Sequence, residues 1–173
     1  PDPPLYPRGF EAAADTIAQW ADRQMFAAAV PQVFTALAAM MPPELLEDRR
    51  KMRPDLDPTA LVAGVPGLRS ELRAFVASLE RTLAAHPFLL GNAFSLADAA
   101  VFHVLWFIRN PPETAAMLSR FPGVGRWMTR VDAMGHGRPE AMEPEAALEI
   151  ARRVEPTAER RADPDDPDGL APG

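Results

Sequence analysis

The side chains able to do chemistry are few and scattered. His86, His103 and His136 stand 17 and 33 residues apart, so no helical pair presents a metal-ligand spacing. His103 falls inside an apolar run and reads as a hydrogen-bonded core residue rather than a proton shuttle. The absence of cysteine removes a thiolate nucleophile, a thiolate metal site and any disulfide framework, a usage that suits the cytoplasm. Of the four serines none lies in a nucleophile-elbow sequence. Gly64, Gly67 and Gly91 do not form a phosphate-cradling loop after a strand, and no carboxylate pair divides into acid and base. The one polar constellation with stringent spacing is Ser95-Leu96-Ala97-Asp98. A serine three residues ahead of a carboxylate, at the mouth of an apolar run, is a capping box in which Asp replaces the usual Glu. The Ser95 hydroxyl can accept from the Asp98 backbone N–H, and the Asp98 carboxylate can reach back to the Ser95 N–H. Such a box contributes about 0.5–2 kcal/mol in solvent. Unmade backbone bonds at the start of a buried helix cost a further ~1–3 kcal/mol. This is folding chemistry rather than catalysis.

The elements that carry these residues are helices. Alanine occurs 31 times against 20 for Val, Ile and Thr together, which favours helix over sheet. Prolines cluster between long proline-free stretches, as expected if they separate helices. A proline-rich lead-in, residues 1–9, is expected to be an extended linker. A first helix is predicted from Phe10 to Val30, kinked at Pro31 before Val33, Phe34 and Leu37 carry on. A short charged surface helix follows over 42–53, acidic residues first. From Gly67 to His86, Leu68, Leu72, Phe75, Val76, Leu79 and Leu83 are spaced 4, 3, 1, 3 and 4 apart, which predicts an amphipathic helix on a core. The run from about 95 to 109 leaves almost no polar stripe and is predicted to be the buried central helix. Further helices are expected at about 112–119, 123–134 and 144–154, with a stop and turn at Gly135-His136-Gly137. The acidic, proline-rich segment 157–173 has no apolar periodicity and is expected to be a linker or disordered.

Charge and composition exclude several classes. A net charge of −6 argues against nucleic acid and anionic membranes as general partners. A helical DNA-binding regulator is further disfavoured by the lack of a short basic recognition helix. No 18-residue apolar run suggests a membrane span. Seventeen of the 18 basic residues are Arg, which with the Ala and Pro excess reads as a base-composition bias rather than an arginine recognition surface. The sequence opens Pro1-Asp2-Pro3-Pro4 rather than with Met and is read as cut from a longer protein.

Two stretches in order carry a family resemblance. Pro87-Phe88-Leu89-Leu90-Gly91-Asn92-Ala93-Phe94-Ser95-Leu96-Ala97-Asp98, then Phe121-Pro122-Gly123-Val124-Gly125-Arg126-Trp127, resemble the helical C-terminal domain of cytosolic-type bacterial glutathione S-transferases. Pro4-Leu5-Tyr6-Pro7 is similar to the linker that follows the family's thioredoxin-like N-terminal domain. The likeness is firmest over 87–133, extends over 4–86 and is absent after about 138. It implies an all-α helical bundle over 10–137 and a domain supplying one wall of a pocket for a small hydrophobic electrophile; the additional helix in 138–156 is read from this sequence alone and lies beyond the likeness. By that analogy the wall is Arg23, Phe26, Ala27 and Val30 on the first helix, with Trp106 and Arg109 near the end of the buried one. Each has a plain structural alternative: Phe26 and Trp106 as core or interdomain packing, Arg23 as a surface charge. The resemblance also implies that glutathione and its activating residue belong to the thioredoxin-like domain, since nothing in this chain matches them, and that the whole protein is a homodimer with the first helical pair in the contact. No catalytic or metal residue is expected here, and this chain alone is expected to be inactive. The same fold also serves as a non-catalytic binding or scaffold module in translation assemblies, which is the alternative.

Overall fold

Helices dominate because alanine-rich, proline-punctuated segments offer one apolar stripe each, and stacking those stripes is the way to remove them from water. The computed structural model describes residues 5–37, 40–52 and 58–155. The fold is all-α; among the described residues the extended pairing is a single bridge between Phe88 and Gly91. None of the described helices is long and apolar enough to cross a membrane. The chain divides into two units, Pro1–Gly135 and His136–Gly173.

In the first unit α1 spans Glu11–Trp20, a π-helical turn covers Ala21–Met25, and α2 runs from Phe26 to Leu37. Then come α3 (Pro43–Met52), α4 (Pro58–Ala85), α5 (Leu96–Ile108), α6 (Pro112–Leu118) and α7 (Pro122–Asp132). Proline stands at the first helical position of α3, α6 and α7, where a missing N–H costs nothing. The centre of the core is Met25, Leu72, Val76, Val101, Leu105, Ile108 and Trp127, all fully buried. α5 packs against α1 and α2, and α4 packs against α2 and α7.

Three expectations are corrected. The first helix departs from α geometry at Ala21–Met25, ahead of Pro31, and continues through the proline. The carbonyl that Pro31 leaves without a helical partner is that of Ala27, on the exposed side, where water can serve it. The same reason lets α4 begin at Pro58 rather than Gly67 and pass through Pro66, whose orphaned carbonyl belongs to the exposed Val62. The third correction concerns α5, which is central without being buried all round. Val101, Val104, Leu105 and Ile108 face the core, while His103 and Trp106 are exposed. His103 is therefore not a core histidine. The other helices stay close to the sequence reading, and Gly135 and Gly137, at φ +69° and +74°, form the expected turn.

The second unit contains α8, Pro144–Arg153. It buries none of its residues, and Leu148 and Ile150 are exposed. Glu149 bonds Arg153 at 2.7 Å one turn on, an orientation favourable in isolated helices. The tail 157–173 and the first part of the lead-in, residues 1–4, lie outside the described residues.

Candidate functional site

The capping box is present and is the hub of the α5 N-terminus. Asp98 is fully buried and accepts four hydrogen bonds. Its Oδ2 takes the Ser95 N–H at 3.0 Å and the Ser95 hydroxyl at 2.7 Å. Its Oδ1 takes the Leu89 N–H and the Trp127 indole N–H, each at 2.9 Å. A buried carboxylate is tolerable only when its lone pairs are met in this way. One side chain thus ties the turn before α5, the start of α5 and α7 together. The Leu96 N–H, one of the orphan donors at a helix start, goes to the Leu5 carbonyl at 2.8 Å.

The lead-in segment is held at a second point. The Tyr6 hydroxyl donates to Asp15 Oδ1 of α1 at 3.0 Å. That bond, and the carboxylate charge beside it, hold the phenol above its usual pKa. Glu11, at the start of α1, is held below the usual carboxylate range by the backbone hydrogen bonds of Glu11 itself and Gly9.

The residues expected to form a pocket wall fall into two neighbouring groups. Phe26, half-buried, stacks in a tilted fashion on Phe107 and on His103, with ring centres 5.7 and 5.9 Å away. Trp106, 46% exposed, lies under the Arg109 guanidinium, 5.4 Å from its centre. Arg109 in turn makes two bonds to the Asp132 carboxylate at 3.0 and 3.2 Å, across to the end of α7. The pair is solvent-accessible, so it fixes the posture of Arg109 more than it stabilises the fold. Val30 is half-buried one turn beyond Phe26, while Arg23 and Ala27 are exposed on the π turn and the first turn of α2. The result is a half-exposed aromatic seam where α2 meets α5. His103, Phe107 and Asp132 belong to it although sequence reasoning did not place them there. For His103 and Phe107 the signal was available: His103 lies three residues before Trp106 and four before Phe107, spacings that share a helix face. Asp132 carried none, since it meets Arg109 only through the packing of α7.

Among the described residues, the seam's Phe26, His103, Trp106, Phe107, Arg109 and Asp132 carry neither hydroxyl nor thiol. The hydroxyls of Tyr6 and Ser95 are committed elsewhere, and the chain has no cysteine. What the seam offers is an apolar, aromatic surface with one oriented cation at its edge, suited to hold a flat apolar body.

Comparison with known proteins agrees with this architecture. The glutathione S-transferase C-terminal domain profile matches residues 3–130. A GST-like protein from Pseudomonas syringae superposes with a TM-score of 0.67 at 31% identity, over 96% of this chain and 52% of that one. The beta-etherase LigF from Sphingobium sp. strain SYK-6 superposes at 0.55 with 20% identity, over 87% of this chain and 65% of that one. Poplar glutathione transferase F1 does so at 0.54 with 18% identity, over 87% and 60% respectively; these two share the fold. The chain spans about half the length of the first of these proteins and under two thirds of the other two. No curated protein sequence gives a significant match. With the profile covering most of its length, the chain belongs to the glutathione S-transferase C-terminal domain family.

Proposed function

We propose that this chain is the substrate-pocket domain of a glutathione S-transferase-like protein that acts on a small hydrophobic electrophile. The observation that supports this is the half-exposed seam of Phe26, His103, Trp106 and Phe107, an aromatic surface that the chain's own helices leave open. In this reading a thioredoxin-like N-terminal domain binds glutathione and supplies the activating residue, the whole protein is a cytoplasmic homodimer, and glutathione brings the nucleophilic sulfur. The chain's own residues would orient the electrophile: Phe26 and Phe107 against its apolar face, Trp106 and Arg109 along its edge. Arg23, Ala27 and Val30 would extend the same wall along the first helix. Positioning of this kind accelerates a reaction by removing rotational freedom before the sulfur attacks.

The test uses the full-length gene product. Thermal stability is measured against glutathione concentration, and turnover of an aromatic electrophile is measured for wild type and Trp106→Ala. A concentration-dependent rise in stability, with Trp106→Ala raising KM severalfold at unchanged thermal stability, supports the proposal. No shift at millimolar glutathione and no turnover would overturn it in favour of a non-catalytic binding or scaffold module.

A further inference from the structure

A cavity of about 320 Å³ lies away from the aromatic seam, between α4 and α6, lined by Pro66, Arg69, Arg73, Glu113, Met117 and Arg120 among others. Its volume is at the lower end of the range for small-molecule sites. Three arginines and one glutamate line it in a chain whose net charge is −6. Arginine is common throughout this sequence, so number alone means little; convergence and posture carry the weight. Among the described residues, Arg50, Arg109, Arg152 and Arg153 stand within 4.0 Å of a carboxylate, and Arg69, Arg73 and Arg120 do not. Two of the three are instead oriented by uncharged groups. The Arg69 Nε–H donates to Gln32 Oε1 at 3.1 Å. Gln32 is itself 3% exposed and locked by donation from its Nε2 to the Val65 carbonyl at 3.1 Å. The Arg73 guanidinium lies 6.0 Å from the centre of the Phe121 ring. A buried amide on α2 and an aromatic ring before α7 therefore hold two cations at a cleft without neutralising them.

We propose that this cleft binds a small organic oxyanion, a phosphate monoester or carboxylate with a compact apolar body. The guanidinium forks of Arg69, Arg73 and Arg120 would take the anionic head, since planar paired donors match such oxygens. Met117 and Pro66 would receive the apolar part. Glu113 faces the same space and repels a second anionic group, so the site favours a single charged head. Arg73 and Arg120 are exposed, so replacing them removes charge without opening the core.

The experiment uses the 173-residue chain, isotope-labelled for amide spectra and titrated with phenyl phosphate, benzoate and neutral benzyl alcohol. Saturable shifts at Ser70, Ala116 and Met117 are expected with one or both anions, weakening as salt rises, and none with the alcohol. Whichever anion binds more tightly identifies the head group. The exposed double variant Arg73→Gln/Arg120→Gln is expected to keep its thermal midpoint and bind at least about tenfold more weakly, because charge-assisted bonds are lost. Glu113→Gln is expected to bind more tightly. No saturable shift at millimolar anion, unchanged affinity in the double variant, or weaker binding by Glu113→Gln would each overturn the proposal.

Discussion

Asp98 illustrates how much a single carboxylate can organise when it is buried and fully partnered. Replacing it with Ala leaves two backbone N–H groups, a hydroxyl and an indole N–H unpaired in the interior. Asp98→Ala is therefore expected to lower unfolding free energy by ~3–5 kcal/mol, the scale of a broken buried polar network. Urea denaturation followed by circular dichroism checks this, and a loss below 1 kcal/mol would contradict the hub role. Tyr6 makes a smaller, pH-dependent contribution. Its phenol is raised in the folded state, so the stabilisation is present in full below the phenol's ordinary pKa and is lost as pH rises through the raised value. It is the protein's single tyrosine, so the ultraviolet phenolate signal reports Tyr6 alone. Its midpoint is expected above that of a free tyrosine and to fall toward it in Asp15→Asn. The Ser95–Asp98 box could be read from spacing because capping geometry is local. The Trp127 and Leu89 donors to Asp98 could not, because they arrive from 29 and 9 residues away through tertiary packing.

At the scale of elements, the joint between α4 and α7 leaves no room for a side chain at Gly123. The Glu80 carboxylate receives the Gly123 and Val124 N–H groups at 2.9 and 2.8 Å, capping the start of α7 from a neighbouring helix. A Cβ at Gly123 would come within 2.9 Å of both Glu80 oxygens. Gly123→Ala is expected to destabilise by ~1–3 kcal/mol, an overpacking cost. In a double-mutant cycle with Glu80→Ala the two losses should be clearly non-additive, because removing the carboxylate relieves the clash. Apolar spacing made the greater part of α4 legible in the sequence, and an almost unbroken apolar run behind a capping box did the same for α5. Pro66 misled because a proline reads as a helix boundary wherever it stands. Whether its orphaned carbonyl points to water is a property of the packed helix. The exposure of His103 and Trp106 was hidden for a related reason: hydropathy records what a helix could bury, and only the arrangement of neighbours decides which stripe they leave open.

For the molecule as a whole, every residue of the buried cluster lies between Ala21 and Val131. A chain ending at Gly135 is thus expected to unfold as cooperatively as the intact one, with its thermal midpoint within a few degrees. A broad, non-cooperative transition in the truncated chain would contradict this. The family and fold were legible in the sequence from two motifs. The oxyanion cleft was not, because it depends on Gln32 of α2 fixing a guanidinium on α4, 37 residues away.

The bond between the Leu5 carbonyl and the Leu96 N–H also sets an order of events in time. Its two ends are separated by roughly 90 residues, which at ~5–20 residues per second of synthesis leaves the earlier end waiting on the order of 5–20 s for its partner. Through that interval the Tyr6 bond to Asp15 of α1 is available to anchor the segment. Leu5 is thus made well before the partner that fixes it, and the strap closes once the start of α5 exists, with α6 and α7 still to follow.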